Sequence, residues 1–429
     1  MSREHSRYEG RIVMLATMGG TPVRSEPFPA WPIQGEPERA YLLQALESGA
    51  WSSPAGGAFV RRFEAEFAGL HRTKQAMAVT NGTASLVLSL RALGIGSGDE
   101  VIVPAYTFIA TAAAALEVNA LPIFVDIDPD SFCIDPAAVE AAITERTRAI
   151  IPVHLGGQPA DLHRLSAIAS GHGLAIVEDA AHAHGAIWNG IPVGGWGALG
   201  CFSMQMSKNL TGGEGGAVLT NDDDLAERIR SLRNGGRAMG GTGDEHPSFG
   251  GSVRMAEFQA AVLCAQIERH PEQLALRDAN GRFLNAWLAG IDGIRPQQRD
   301  SRTGVHAYHL YSVRYDAAAF GGLSRRDFCT LVSAEGIPIA PGYTVPLNRQ
   351  PVFANHAFDT RATGYDPGYA ATQYGRLDLP ACQLVCDEVV WIPQTVLLGT
   401  ERDMVDVVTA VRKVREAVDR LGADACRPG

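Results

Sequence analysis

The chain has 429 residues, 46% of them hydrophobic and 20% charged, with a formal net charge of −10 at pH 7. That length exceeds what one hydrophobic core usually supports, so two domains are expected, and the composition is that of an ordinary globular protein. The acidic balance and the lack of a long Lys/Arg run argue against a nucleic-acid partner, and no apolar stretch is long enough to cross a bilayer.

The first residues carry mixed charges, and the apolar run behind them is soon broken by Gly19 and Gly20, so no export signal is read and a cytoplasmic location is expected. Seven scattered cysteines form no disulfide-like framework, which suggests reduced, mostly buried thiols. Residues 1–35, punctuated by Gly and Pro, read as an N-terminal arm. Helical spacing follows over 36–49 and 59–70, with a loop at 51–57 between them. Residues 75–80 read as a strand, Asn81-Gly82-Thr83 as a tight turn, and 84–93 as a helix on which Leu86, Leu90 and Leu93 share a face. Free N–H groups at that helix start, with the Thr83 hydroxyl, suit a phosphate; a plain N-cap by Asn81 or Thr83 is the simpler alternative.

Further strands are expected at 100–104, 121–126, 149–154, 174–179, 200–203 and 217–220, alternating with helices that include 136–144, 161–170 and 223–234. That alternation predicts a mainly parallel α/β sheet, with ligands at the carboxyl ends of its strands. The Gly-rich stretch 235–251 lacks periodicity and reads as a mobile or partner-contacting loop. A helix over 257–269 and a second over 271–288 lead into a region of different character. It holds an alternating strand at 309–315, a helix over 325–336, a Pro-rich loop from Tyr343 and an amphipathic helix over 401–421. The expected organisation is therefore an arm (1–35), a large α/β domain (36–275) and a smaller α+β domain (276–429).

Candidate chemistry gathers at strand ends and loops. Lys208 lies in a run of hydroxyls and glycines, Asp179 ends a buried-type strand with His182 and His184 close behind, and Ser203 ends another strand. Taken singly, each has an ordinary reading: a solvated loop lysine, a helix-capping aspartate, core histidines, a core Phe108. Together, in this order, they match the needs of pyridoxal phosphate. Asp179 would keep the pyridine nitrogen protonated, Phe108 would stack on the ring, and His182 would sit by the ring hydroxyl. Gly82, Thr83 and Ser203 would hold the phosphate. Lys208 would anchor the aldehyde and then shuttle a proton, for which its pKa must fall from about 10.4 toward roughly 7 to 8. Gly212 to Gly216 read as small residues that let the backbone approach a crowded cofactor.

The segments 80–86, 100–108, 152–154, 178–185, 207–216 and 254–259 resemble the sugar and cyclitol aminotransferases of the DegT/StrS type, among the fold-type I pyridoxal phosphate enzymes. The resemblance implies transamination, with a lysine at position 208 where the 3-dehydratase branch has histidine. It also implies a homodimer with shared active sites, and Ser252 stands where many relatives place a cross-dimer asparagine. The segments 320–324 and 389–400 look most like relatives that aminate ketocyclitols such as scyllo-inosose with L-glutamine in aminoglycoside-type pathways. A nucleotide-linked 3- or 4-keto sugar is the alternative substrate, and Trp51, Ser52, His154 and Tyr343 are the substrate-side candidates. A non-catalytic protein on the same fold is the reading from another class. Asp179 and Lys208 together argue against it, because a binding module has no need of both.

Overall fold

A computed structural model describes residues 14–52, 57–238, 245–366 and 368–428. The expected loops at 51–57 and 235–251 thus lie partly outside the described residues. Helices α1 (Glu36–Glu47) and α2 (Ala58–His71) precede β1 (Gln75–Val79) and α3 (Gly82–Ala92). Then come β2 (Glu100–Pro104), α4 (Ala110–Glu117), β3 (Leu121–Val125), α5 (Pro136–Ala141), β4 (Thr147–Ile150), α6 (Leu162–His172) and β5 (Ala175–Asp179). The short β6 (Ile187–Trp188) and β7 (Ile191–Pro192) lead to β8 (Leu199–Ser203), β9 (Gly216–Thr220), α7 (Asp223–Leu232) and α8 (Glu257–Leu288).

Among the described residues the main sheet runs β1-β9-β8-β5-β4-β2-β3. The β5–β8, β4–β5, β2–β4 and β2–β3 pairs are parallel, and only β9 runs against its neighbours. The expected α/β architecture is therefore present. Its strands are buried on both faces, which is why they read as continuous apolar runs rather than alternating ones. β4 is shorter than expected because Pro152 has no N–H to give the ladder; the chain touches β5 again only at the Val153–Asp179 bridge.

The expected pair of helices over 257–269 and 271–288 is one helix, α8, with Pro271 inside it. Proline removes one backbone bond, and packing outweighs the loss: α1 and α2 lie against α8, and Leu284 and Leu288 enter the second core. The boundary expected at 275/276 falls within this helix. Beyond it, β10 (Ile294–Pro296), β11 (Thr303–Val305), β12 (Leu310–Tyr315), α9 (Arg325–Ala334), β13 (Ala340–Pro341), α10 (Pro351–Ala354), α11 (Pro380–Glu388), β14 (Val389–Pro393) and α12 (Glu401–Leu421) complete the fold, with a last helical turn, α13 (Ala423–Cys426). A second sheet, β10-β12-β14-β13, shares a core with α9 and α12. Leu347, Phe353, Tyr374, Cys382, Val385 and Cys386 instead pack into the core of the main sheet. All seven cysteines are buried and unpaired.

Candidate active site

The apolar strand β5 ends in two carboxylates that alternate to opposite faces. Glu178 accepts hydrogen bonds from the backbone N–H groups of Gly194 (2.7 Å), Trp196 (2.8 Å) and Gly197 (2.8 Å), and from His154 Nε2 (3.1 Å). His154 Nδ1 accepts the Ala160 N–H at 3.1 Å, so its proton must sit on Nε2, facing Glu178. Burial alone would push the Glu178 pKa up, but the His154 bond and the backbone donors outweigh it and hold the carboxyl below its usual range. His154, expected at the substrate, is wholly buried with both ring nitrogens engaged. It belongs to the floor behind the site and cannot reach a substrate.

Asp179, on the other face, has weaker support. It accepts from Thr111 Oγ1 at 2.8 Å and from the Ala181 N–H at 3.2 Å. Burial wins there, and its pKa is raised. His182 follows one turn later. Its Nδ1 accepts the Gly156 N–H at 3.3 Å, which leaves Nε2 as the N–H end, and its ring centre lies 4.4 Å from that of His309. Burial first, and then the nearby Lys208 charge, hold His182 well below the usual histidine range. His184 is a core residue, packed beside Phe202, Phe67 and His270.

β8 delivers Ser203 to the start of α3. A Cβ on Gly82 would lie 2.7 Å from that of Ser203, so only glycine leaves the space between them open. Asn81 caps the helix by accepting the Ala84 N–H at 2.8 Å. The backbone N–H groups of Gly82 and Thr83 find no partner among the described residues. Thr83 also borders a groove of about 310 Å³ between α3 and the segment 251–253.

After β8 the chain folds back tightly, with Met204 N–H donating to Gly215 O at 2.8 Å and Thr211 Oγ1 to Met204 O at 3.1 Å. This return leaves Lys208 half-buried. Burial lowers its pKa to about 8, partly offset by Asp179, and no hydrogen bond holds its Nζ among the described residues. Most of the glycines that follow are closely packed, while Gly213 opens onto free space. A Cβ on Gly215 would press on Met255 and Met204, one on Gly212 on Leu263 and Gln259, and one on Gly216 on Asn81. The smallness of Gly212, Gly215 and Gly216 serves the packing of the loop, β9 and α8, and Gly216 lets β9 approach the backbone of Asn81 beside the Gly82–Thr83 turn.

Tyr343 is half-buried against Trp391 and Tyr106, with ring centres at 4.7 and 5.5 Å. Burial, then the negative charge of Asp179, push its hydroxyl pKa up. Phe108 is 57% exposed and its carbonyl accepts the Thr111 N–H, so it stands one turn from the partner of Asp179. Trp51 is tied to Leu46 O and to the Glu257 N–H, and Ser52 is exposed; no contact joins either to Lys208 or Asp179. Ser252 is likewise exposed, bridged to Asn234.

Four participants escaped the sequence reading. Thr111 reaches Asp179, Glu178 gathers the floor, His309 lies on His182, and Asn209 Nδ2 ties the lysine loop to Ala307 O at 2.6 Å. Glu178 carried a usable signal, since a carboxylate inside a buried parallel strand must be satisfied by something. His309 carried none: it immediately precedes β12 and follows Tyr308, which has a φ of 45° and packs against Gly157, Gly281 and the stacked His306.

The arrangement fits pyridoxal phosphate. An open glycine cradle with free N–H groups and a serine hydroxyl suits a phosphate, a buried carboxylate short of a cation suits a protonated ring nitrogen, and a lysine near neutrality suits the aldehyde. The profile of the DegT/DnrJ/EryC1/StrS aminotransferase family matches residues 32–412. The L-glutamine:2-deoxy-scyllo-inosose aminotransferase of Streptoalloteichus tenebrarius is 41% identical, over 94% of this chain and 97% of its own. Among solved structures, 3-amino-5-hydroxybenzoic acid synthase superposes with a TM-score of 0.82 at 35% identity, covering 92% of this chain and 100% of its own. DesI, solved in the presence of its TDP-sugar product, gives 0.79 at 30% identity, covering 96% and 98%. The chain belongs to the DegT/DnrJ/EryC1/StrS aminotransferase family and is a pyridoxal-phosphate-dependent aminotransferase.

Proposed function

We propose that the protein transfers the amino group of L-glutamine to a ketocyclitol of the scyllo-inosose type, in an aminoglycoside-like pathway. The observation that carries this is the near-full-length similarity to an L-glutamine:2-deoxy-scyllo-inosose aminotransferase. The likeness to DesI, at lower identity, favours a nucleotide-linked keto sugar as the second reading. Bound pyridoxal phosphate supplies an electron sink for the carbanion formed at the donor α-carbon.

The chain's own residues do the rest. Lys208 Nζ, titrating near neutrality, takes the proton from the donor α-carbon and returns it on the acceptor side. Asp179 holds the ring nitrogen protonated, and Thr111 and the Ala181 N–H orient that carboxylate. His182 points its Nε2–H end at the ring hydroxyl, a polarity set by Gly156. The N–H groups of Gly82 and Thr83, with the Ser203 hydroxyl, take the phosphate, and Phe108 covers a ring face. Tyr343 lies on the substrate side. The working unit is a homodimer in which Ser252 meets the neighbour's cofactor phosphate; exposed apolar Ile109 and Met206 are in keeping with a partner chain. Unpaired cysteines are in keeping with a reducing cytoplasm.

Half-reaction with L-glutamine, followed by a panel of ketocyclitols and nucleotide keto sugars, tests the reading. Amination of scyllo-inosose-type ketones is expected. Turnover of nucleotide sugars alone would replace the first reading by the second.

A further inference from the structure

We propose that Arg277, Gln394 and His309 form a buried anion site that receives the α-carboxylate of the amino donor, an assignment that rests on the function proposed above. Arg277 projects from α8 and is fully buried. Its Nε donates to Gln394 Oε1 at 2.8 Å, while Nη1 and Nη2 have no hydrogen-bond partner. Gln394 Nε2 and His309 Nδ1 are buried without partners as well. The acid beside it in sequence, Asp278, is taken by Arg282, Arg299 and the His306 N–H. No other carboxylate pairs with Arg277 among the described residues.

An unpaired guanidinium in the interior is strongly unfavourable, and here burial draws its pKa down to about 9. Such a charge calls for a counter-anion. The unmet groups are guanidinium and amide donors with an imidazole nitrogen, and a planar carboxylate accepting two parallel N–H bonds is their complement.

The site adjoins the chemistry. His309 feels the charges of both Lys208 and Arg277, and its ring lies 4.4 Å from that of His182. Trp31 of the arm covers Arg277, its ring centre 5.4 Å from the guanidinium carbon, and its indole N–H donates to Met206 O in the lysine loop at 2.8 Å. Trp31 thus links Arg277 to the loop that carries Lys208. An uncharged ketocyclitol has no carboxylate to place there, so the two half-reactions should depend on Arg277 differently.

Single-turnover kinetics of the holoenzyme separate them. Arg277→Met should raise the L-glutamine concentration needed for half-maximal rate roughly 10- to 100-fold, the value of a hydrogen bond to a charged group. Reverse transfer from an aminocyclitol should stay within about twofold, and Arg277→Lys should fall between wild type and Arg277→Met. L-Glutaminamide, which lacks the carboxylate charge, should be a poor donor for wild type and no worse for the variant. Equal slowing of both half-reactions, or an unchanged donor dependence, overturns the assignment. So does a wild-type enzyme that uses the amide as well as the acid, a result that needs no variant to fold. Thermal stabilisation by chloride with a donor reaction indifferent to Arg277 would mean an inorganic anion site only, and overturns the donor assignment. An enzyme that accepts amino groups from no amino acid would sink the function itself, and this site with it.

Discussion

The two faces at the end of β5 differ in how completely their charges are met. On the floor, Glu178 is surrounded by three backbone N–H groups and His154, and its carboxyl is held ionised. On the open face, Asp179 has two donors, Lys208 has no hydrogen bond on Nζ, and burial pushes both toward their neutral forms. Neighbouring residues of one strand thus serve opposite ends. A saturated network fixes the backbone, and an unsaturated one is left to be completed by what binds.

The comparison breaks first at Lys208. Replacing it with Ala should cut turnover by about 10⁴-fold, the upper range for a positioned proton-transfer group, and abolish the visible absorbance of lysine-linked cofactor while leaving the far-ultraviolet dichroism intact. An unchanged spectrum would put the cofactor's anchor elsewhere.

Glu178→Leu should cost about 3–5 kcal/mol of stability with or without cofactor, because it strands His154 and three backbone donors; urea titration of both forms measures this. Asp179→Asn is expected to do the reverse. Turnover should drop roughly 10²- to 10³-fold for want of one preorganised electrostatic group, while the cofactor-free protein is no less stable than wild type. A large loss of apo stability in Asp179→Asn would erase the distinction between the faces.

The pH dependences should have opposite signs. Glu178, with a lowered pKa, contributes stability above the unfolded carboxyl range that is lost as acid reaches its folded pKa. Asp179, with a raised pKa, is a cost at neutral pH that acid relieves as it passes that pKa. Comparing acid unfolding of Glu178→Gln and Asp179→Asn separates the two contributions. The smallest effect concerns Lys208: only its neutral amine attacks an aldehyde. The rate at which cofactor-free protein takes up pyridoxal phosphate should therefore climb through pH about 8 and level off above it, rather than near the ordinary lysine range. Stopped-flow absorbance would show where the rise lies.

Much of this was legible in the residues. Buried strands such as 100–104 and amphipathic helices such as 401–421 announce themselves by local pattern, and both appear where read. The same local signal marked Asp179, Ser203 and Lys208 as strand-end and loop residues of an α/β sheet. It failed where a distant contact outweighed a local preference: Pro271 lies inside α8, and Pro152 ends β4 early. His154 illustrates the failure at the site, since nothing in its neighbours reveals that Glu178 and Ala160 occupy both its nitrogens.

By itself, then, the sequence determined the alternation of strands and helices and the set of chemical groups at their ends, because hydrophobic period and residue type are local properties. The tertiary structure alone decided which of those groups lack partners. It turned Glu178 and His154 into a saturated floor and brought Thr111 to Asp179 and His309 to His182 from far along the chain. Burial and unmet hydrogen bonds are set by residues remote in sequence, and local pattern carries no record of them.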